Sequence, residues 1–76
     1  MTRLPRLSGR ECVKALLAAG FSVKRQHGGH IILRRADPYA QVVVPDHAAL
    51  DRGTLRGIVR QSGLSVEQFL RLVGWP

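Results

Sequence analysis

The sequence predicts a small α+β domain of order α-β-β-β-α with a short extra helix at the C-terminal end, and three observations carry this reading. A capping signature at Ser8 opens a helically spaced apolar stripe, three extended segments joined by short turns occupy the middle of the chain, and two further capped helices follow. Consecutive strands with short connections pair antiparallel, and the helices before and after them must bury their apolar stripes on one face of that sheet. The other face is left bare.

The elements follow in order. Ser8 and Glu11 have the spacing of a capping box, and Cys12, Val13, Leu16 and Leu17 recur at helical spacing, so the first helix is expected from about Gly9 to Ala19, with Gly20 as its left-handed stop. Phe21 to His27 alternates Phe21, Val23 and Arg25 against Ser22, Lys24 and Gln26, the period of a half-buried strand. Gly28-Gly29 supplies a two-residue hairpin loop of the kind that needs positive φ. His30 to Arg35, with Ile31, Ile32 and Leu33, is the second strand, ended by the turn signal Asp37-Pro38. Val42, Val43 and Val44 favour an extended backbone over Gln41 to Val44, closed by Pro45.

Asp51 is placed to cap the second helix, with Leu50 and Leu55 spaced as a staple, and Gly63 to end it. Ser65 and Gln68 form another capping box for a third helix that stops at Gly74, with Leu64 and Phe69 as its staple pair. No repeat, linker or low-complexity run divides the 76 residues, so residues 1–76 are expected to form a single domain.

Composition narrows the function. Hydrophobic residues make up 45% of the chain and charged ones 22%, which is globular rather than disordered. Cys12 is the only cysteine, which excludes an internal disulfide and a cysteine-based zinc site and fits a reducing compartment. Met1 to Leu7 intersperses Arg with Leu and Pro and has no continuous apolar run, so neither a secretory signal nor a membrane span is expected, and the expected location is the cytoplasm. Twelve Lys and Arg against five Asp and Glu leave a formal charge of +7, which favours polyanionic partners, RNA or DNA first, and would equally attract an acidic protein.

Two constellations could carry chemistry. Across the Gly28-Gly29 turn, His27 and His30 should face each other with Cα atoms on the order of 5 Å apart. RNA cleavage needs a base for the 2′-hydroxyl, an acid for the leaving 5′-oxygen and cations for the charge on phosphorus, and two imidazoles beside Lys24, Arg25 and Arg34 provide each of these without a metal or other cofactor. The plain alternative is a pair of polar turn residues. A zinc site would have to recruit His47 as third ligand, and His47, if it lies near the hairpin, also competes with His27 as second proton-transfer group.

Arg52, Arg56 and Arg60, four residues apart, put three guanidinium groups on one stripe of the second helix, either a ladder for phosphates or a solvated polar face. Among the few aromatics, Phe21 and Phe69 fall in core-like patterns, which leaves Tyr39 and Trp75 where a base could stack. Asp37, Asp46 and Asp51 lie in loops or a cap and offer poor material for a paired-carboxylate or two-metal mechanism. Cys12 falls on the apolar helix face, as a packed thiol.

The stretch "VKRQHGGHIIL" resembles the HicA (YcfA-like) motif of an arginine, two residues, then Gly-Ser or Gly-Gly, histidine and an apolar strand. "VVVPDHAALDRGTLRGIVRQSGLSVEQFL" is similar to the second block of that family. Together the two blocks and the helix before them cover Ser8 to Leu70. The resemblance implies a dsRBD-like fold and the toxin of a type II toxin-antitoxin system, an mRNA interferase paired with a HicB-type antitoxin. It also implies that the catalytic histidine is His30 and that Arg25 is the arginine of the motif. Gly29 stands where the family more usually has serine, so no serine hydroxyl is available at this turn. His27 lies outside the motif, and its role as proton donor rests on hairpin geometry alone. The expected function is a metal-independent endoribonuclease, with a non-catalytic RNA-binding module or a basic domain for an acidic protein partner as the alternatives.

Overall fold

The computed structural model describes residues 4–74, in the order α1 (Gly9–Ala18), β1 (Ser22–His27), β2 (His30–Arg35), β3 (Ala40–Pro45), α2 (Arg52–Ser62) and α3 (Val66–Val73). This is the expected α+β, dsRBD-like layout. Each helix starts where a side chain satisfies its first free N–H groups. Ser8 Oγ accepts from Glu11 N at 3.0 Å while Glu11 Oε1 accepts from Ser8 N at 2.9 Å, and Ser65 and Gln68 repeat the arrangement in α3. Asp51 Oδ1 accepts from Thr54 N at 2.8 Å to open α2. Gly63 and Gly74 end α2 and α3 with left-handed φ, whereas α1 closes on Ala19, and Gly20 turns left-handed one residue later.

The sheet has order β1-β2-β3 and is antiparallel throughout. Ile31 pairs with Val44 and Leu33 with Val42, and all four are buried in one cluster with Cys12 and Leu16 of α1, Leu55 and Ile58 of α2 and Phe69 of α3. The helices therefore cover a single face. His30 and Arg34 alternate with these residues along β2 and are exposed on the uncovered side.

The plain alternation expected for β1 is corrected by a β-bulge. The turn fixes His27 opposite His30, so Gln26 pairs with Ile31 and Arg25 with Ile32. The register then slips, and Val23 pairs with Leu33 and Ser22 with Arg34. Lys24 is the extra residue. Strict alternation would have placed Phe21, Val23, Arg25 and His27 on one face. With one residue absorbed, Val23 shares the helix side with Leu33, while Arg25 and His27 share the open side with Ile32 and His30. The physical reason is that Phe21, buried in the core just ahead of β1, and the exposed Arg25 and His27 need opposite faces, and a period of two cannot provide that in an unbroken strand.

Two tertiary contacts tie the sheet to the helices at its opposite ends. Gly9 N donates to His47 O at 2.9 Å, and a Cβ on Gly9 would collide with the Pro45 carbonyl oxygen, so only glycine permits this approach. At the far end of the hairpin, the Arg35 guanidinium lies 4.7 Å over the Phe21 ring and donates to Pro38 O and Ser62 O. Arg35 thereby closes the C-terminal end of α2 and is spent on the fold. No helix among the described residues is long and apolar enough to cross a membrane.

Candidate functional site

The His27-Gly28-Gly29-His30 hairpin is the local device that builds the site. Gly28 takes φ +59° and Gly29 does not enter positive φ, the pattern of a II′ turn with glycine at its first central position. His27 and His30 are register partners directly flanking this turn, and both are exposed. Arg25 joins them on the open side of the sheet through its pairing with Ile32.

The turn is anchored from β3. Asp46 N donates to Gly29 O at 2.7 Å, so the residue after β3 is tied to the residue before His30. The Asp46 carboxylate accepts two bonds of 3.0 Å from Nε and Nη2 of Arg10 and a longer one of 3.4 Å from Gln26 Nε2. The Arg10 guanidinium holds the Asp46 carboxyl below its ordinary range, with Gln26 and the nearby His47 adding to the effect, while Asp46 in turn raises Arg10. His47 follows two residues after Pro45, the register partner of His30, and so lies at the same end of the sheet as the histidine pair.

Paired carboxylates contrast with unpaired cations. Glu11 is used by Ser8, Asp46 by Arg10 and Asp51 by Thr54, whose backbone N–H lowers the Asp51 pKa. Lys24, Arg25, Arg52, Arg56 and Arg60 make no ion pair or side-chain hydrogen bond among the described residues. The positive field is thus left free to meet a polyanion.

The structure brings only some of the expected residues together. His27, His30 and Arg25 cluster near the turn, whereas Arg34 lies near the other end of β2, where its Nε donates to Gln41 Oε1 at 2.7 Å. Lys24 sits at the bulge between these two groups. Arg52, Arg56 and Arg60 are exposed on α2, on the helix side of the sheet, so the edge of β3 separates them from His30. Gln61 of α2 reaches that edge, its Oε1 accepting from Val43 N at 3.3 Å. Trp75 lies outside the described residues. Cys12 is buried and burial pushes its thiol up to about 12, as expected of a packed rather than reactive group. Among the described residues no group of three or more His, Cys, Asp or Glu is placed to hold a metal ion.

Sequence reasoning missed the Arg10–Asp46 clamp and the Arg35 contacts. Neither the clamp nor the Arg35–Ser62 contact has a local signature, since these partners are far apart in the chain and meet only after folding.

Comparison with protein families matches residues 9–64 to the HicA toxin of bacterial toxin-antitoxin systems. The chain belongs to the HicA toxin family. It is therefore a toxin that works against an antitoxin partner. The matched segment runs from the Gly9 contact through the hairpin to the end of α2, so it contains both histidines, His47 and the whole arginine stripe of this HicA-family chain. No match was found among curated proteins.

Proposed function

We propose that this toxin is a metal-independent endoribonuclease of the cytoplasm, an mRNA interferase in which residues 1–76 act as one domain and a HicB-type antitoxin is the inhibitor. The pairing of His27 with His30 on a bare, cationic sheet face carries the reading.

In this reaction His30 accepts the proton of the ribose 2′-hydroxyl as the oxygen attacks phosphorus, and His27 donates a proton to the departing 5′-oxygen. The products are a 2′,3′-cyclic phosphate and a 5′-hydroxyl. In-line displacement places the entering and leaving oxygens on opposite sides of phosphorus, which is why two neighbouring imidazoles serve better than one. Arg25 stabilises the charge that builds on the phosphoryl oxygens, and Lys24 at the bulge binds an RNA phosphate away from the reacting bond. Arg34 and the stripe Arg52, Arg56 and Arg60 hold the RNA backbone away from the reacting bond. His47, at the same end of the sheet, is the other candidate for proton donor.

The deciding experiment incubates a structured mRNA with purified protein in EDTA and compares wild type with His30→Ala on a denaturing gel. Cleavage by wild type alone, leaving cyclic-phosphate ends, is the expected result. Cutting at the normal rate by His30→Ala would remove His30 from the mechanism. Bound but intact RNA in both lanes would make the chain an RNA-binding module.

A further inference from the structure

A second cationic feature lies at the end of the β1–β2 hairpin away from the histidines. A cavity of roughly 410 Å³ opens there, lined among others by Ser22, Lys24, Arg34, Arg35 and Tyr39. Tyr39 is 70% exposed, so its ring is held up to solvent instead of filling the core. Arg35 is committed to Pro38 O and Ser62 O, and the Nε of Arg34 is fixed by Gln41, which leaves the outer guanidinium nitrogens of Arg34 and the Lys24 ammonium as the available donors. The bulge puts Lys24 between Val23, which faces the helices, and Arg25, which faces out, and so brings a cation to the cavity that regular pairing would direct toward the helix layer.

We infer that this cavity binds one nucleotide of the RNA strand, its phosphate on Lys24 and Arg34 and its base stacked on Tyr39, as a subsite upstream or downstream of the bond cut at His30. The inference rests on the ribonuclease reading above and adds a site to it. His30 and Arg34 are four residues apart on β2, so the cavity lies about 13 Å from the histidine pair along the strand, within reach of a short run of nucleotides. An exposed tyrosine flanked by unpaired cations suits a splayed, single-stranded nucleotide better than a duplex, because only an unstacked base offers its face.

The test uses a fully 2′-O-methylated RNA octanucleotide, which lacks the attacking hydroxyl and stays intact, so that binding is read without cleavage. Tyr39 is the only tyrosine in the chain, and ring-labelled tyrosine therefore reports on it alone. The expected result is an upfield shift of the Tyr39 ring signals on titration, a roughly 5- to 150-fold weaker Kd for Tyr39→Leu, and a near wild-type Kd for Tyr39→Phe. Circular dichroism of Tyr39→Leu checks that the fold is kept. An unmoved ring signal, or equal affinity of Tyr39→Leu and wild type, would overturn the subsite while leaving the ribonuclease reading intact wherever wild type still cuts mRNA. Weaker antitoxin binding by Tyr39→Leu with unchanged octanucleotide affinity would assign the cavity to the protein partner and overturn it as well. A wild type that neither binds the octanucleotide nor cuts mRNA would overturn both readings.

Discussion

Arg10 at the start of α1 grips the Asp46 carboxylate through two N–H···O bonds of 3.0 Å each, and the same Asp46 donates its backbone N–H to Gly29 beside His30. A helix N-terminus, the end of an edge strand and the hairpin turn are thereby joined through one residue. Arg10→Ala should leave the fold intact but speed hydrogen exchange at the Asp46 amide, since the side chain that steadies it is gone. Unchanged exchange would show that the Gly9–His47 bond alone positions this segment.

The same pair gives a pH dependence of known sign. Asp46 has its pKa lowered by Arg10, so folding binds fewer protons there than the unfolded chain does. Its contribution is complete above the ordinary carboxylate pKa of about 4 and is lost as pH falls through the lower folded value. Asp46→Asn should flatten the acid side of the stability curve. Denaturant melts from neutral to acid pH test this, and parallel curves for the two proteins would refute it.

The two turn glycines should respond unequally. Gly28 sits at φ +59°, where a side chain costs on the order of 1–3 kcal/mol, while a Cβ on Gly29 meets nothing within 4 Å. Gly28→Ala should therefore lower the urea midpoint, and Gly29→Ser should leave it in place. Equal losses would mean that the turn is not held as described.

Proton transfer can be apportioned by the pH dependence of cleavage. With His30 as base and His27 as acid, wild type should show a bell-shaped rate profile, and His27→Ala should lose the alkaline limb together with about 10²- to 10⁴-fold in rate. Loss of that limb in His47→Ala, and not in His27→Ala, would move the donor role to His47.

The arginine stripe makes an electrostatic prediction. Replacing Arg56 and Arg60 together should weaken RNA binding for all sequences alike and reduce the slope of log K against log salt by about one unit for each phosphate no longer neutralised. An unchanged slope would assign these arginines to solvent or to the antitoxin.

What could be read in the chain was whatever is settled within a few residues. The caps at Ser8, Asp51 and Ser65 each act over three positions, and the Gly28-Gly29 loop brings His27 and His30 together whatever surrounds them. The face that Arg25 occupies was not legible, because the slip at Lys24 settles a conflict between the turn register and the core, and no three-residue pattern announces it. Arg35 is legible only as the last residue of the second strand, yet it closes α2 across 27 positions of sequence. The arginine ladder was legible as a ladder, but its separation from His30 by the β3 edge depends on how α2 docks.

The bulge at Lys24 sets the phase of β1 separately at its two ends. Phe21, just ahead of the strand, answers to the packed interior, and the residues on the His27 side answer to whatever the toxin meets outside. Variation in the outer half can then accumulate without repacking the interior. Loss of Lys24 alone would leave Val23 opposite Leu33 and Arg25 opposite Ile32, so both halves would keep their faces and the sheet would forfeit only the cation carried at the bulge.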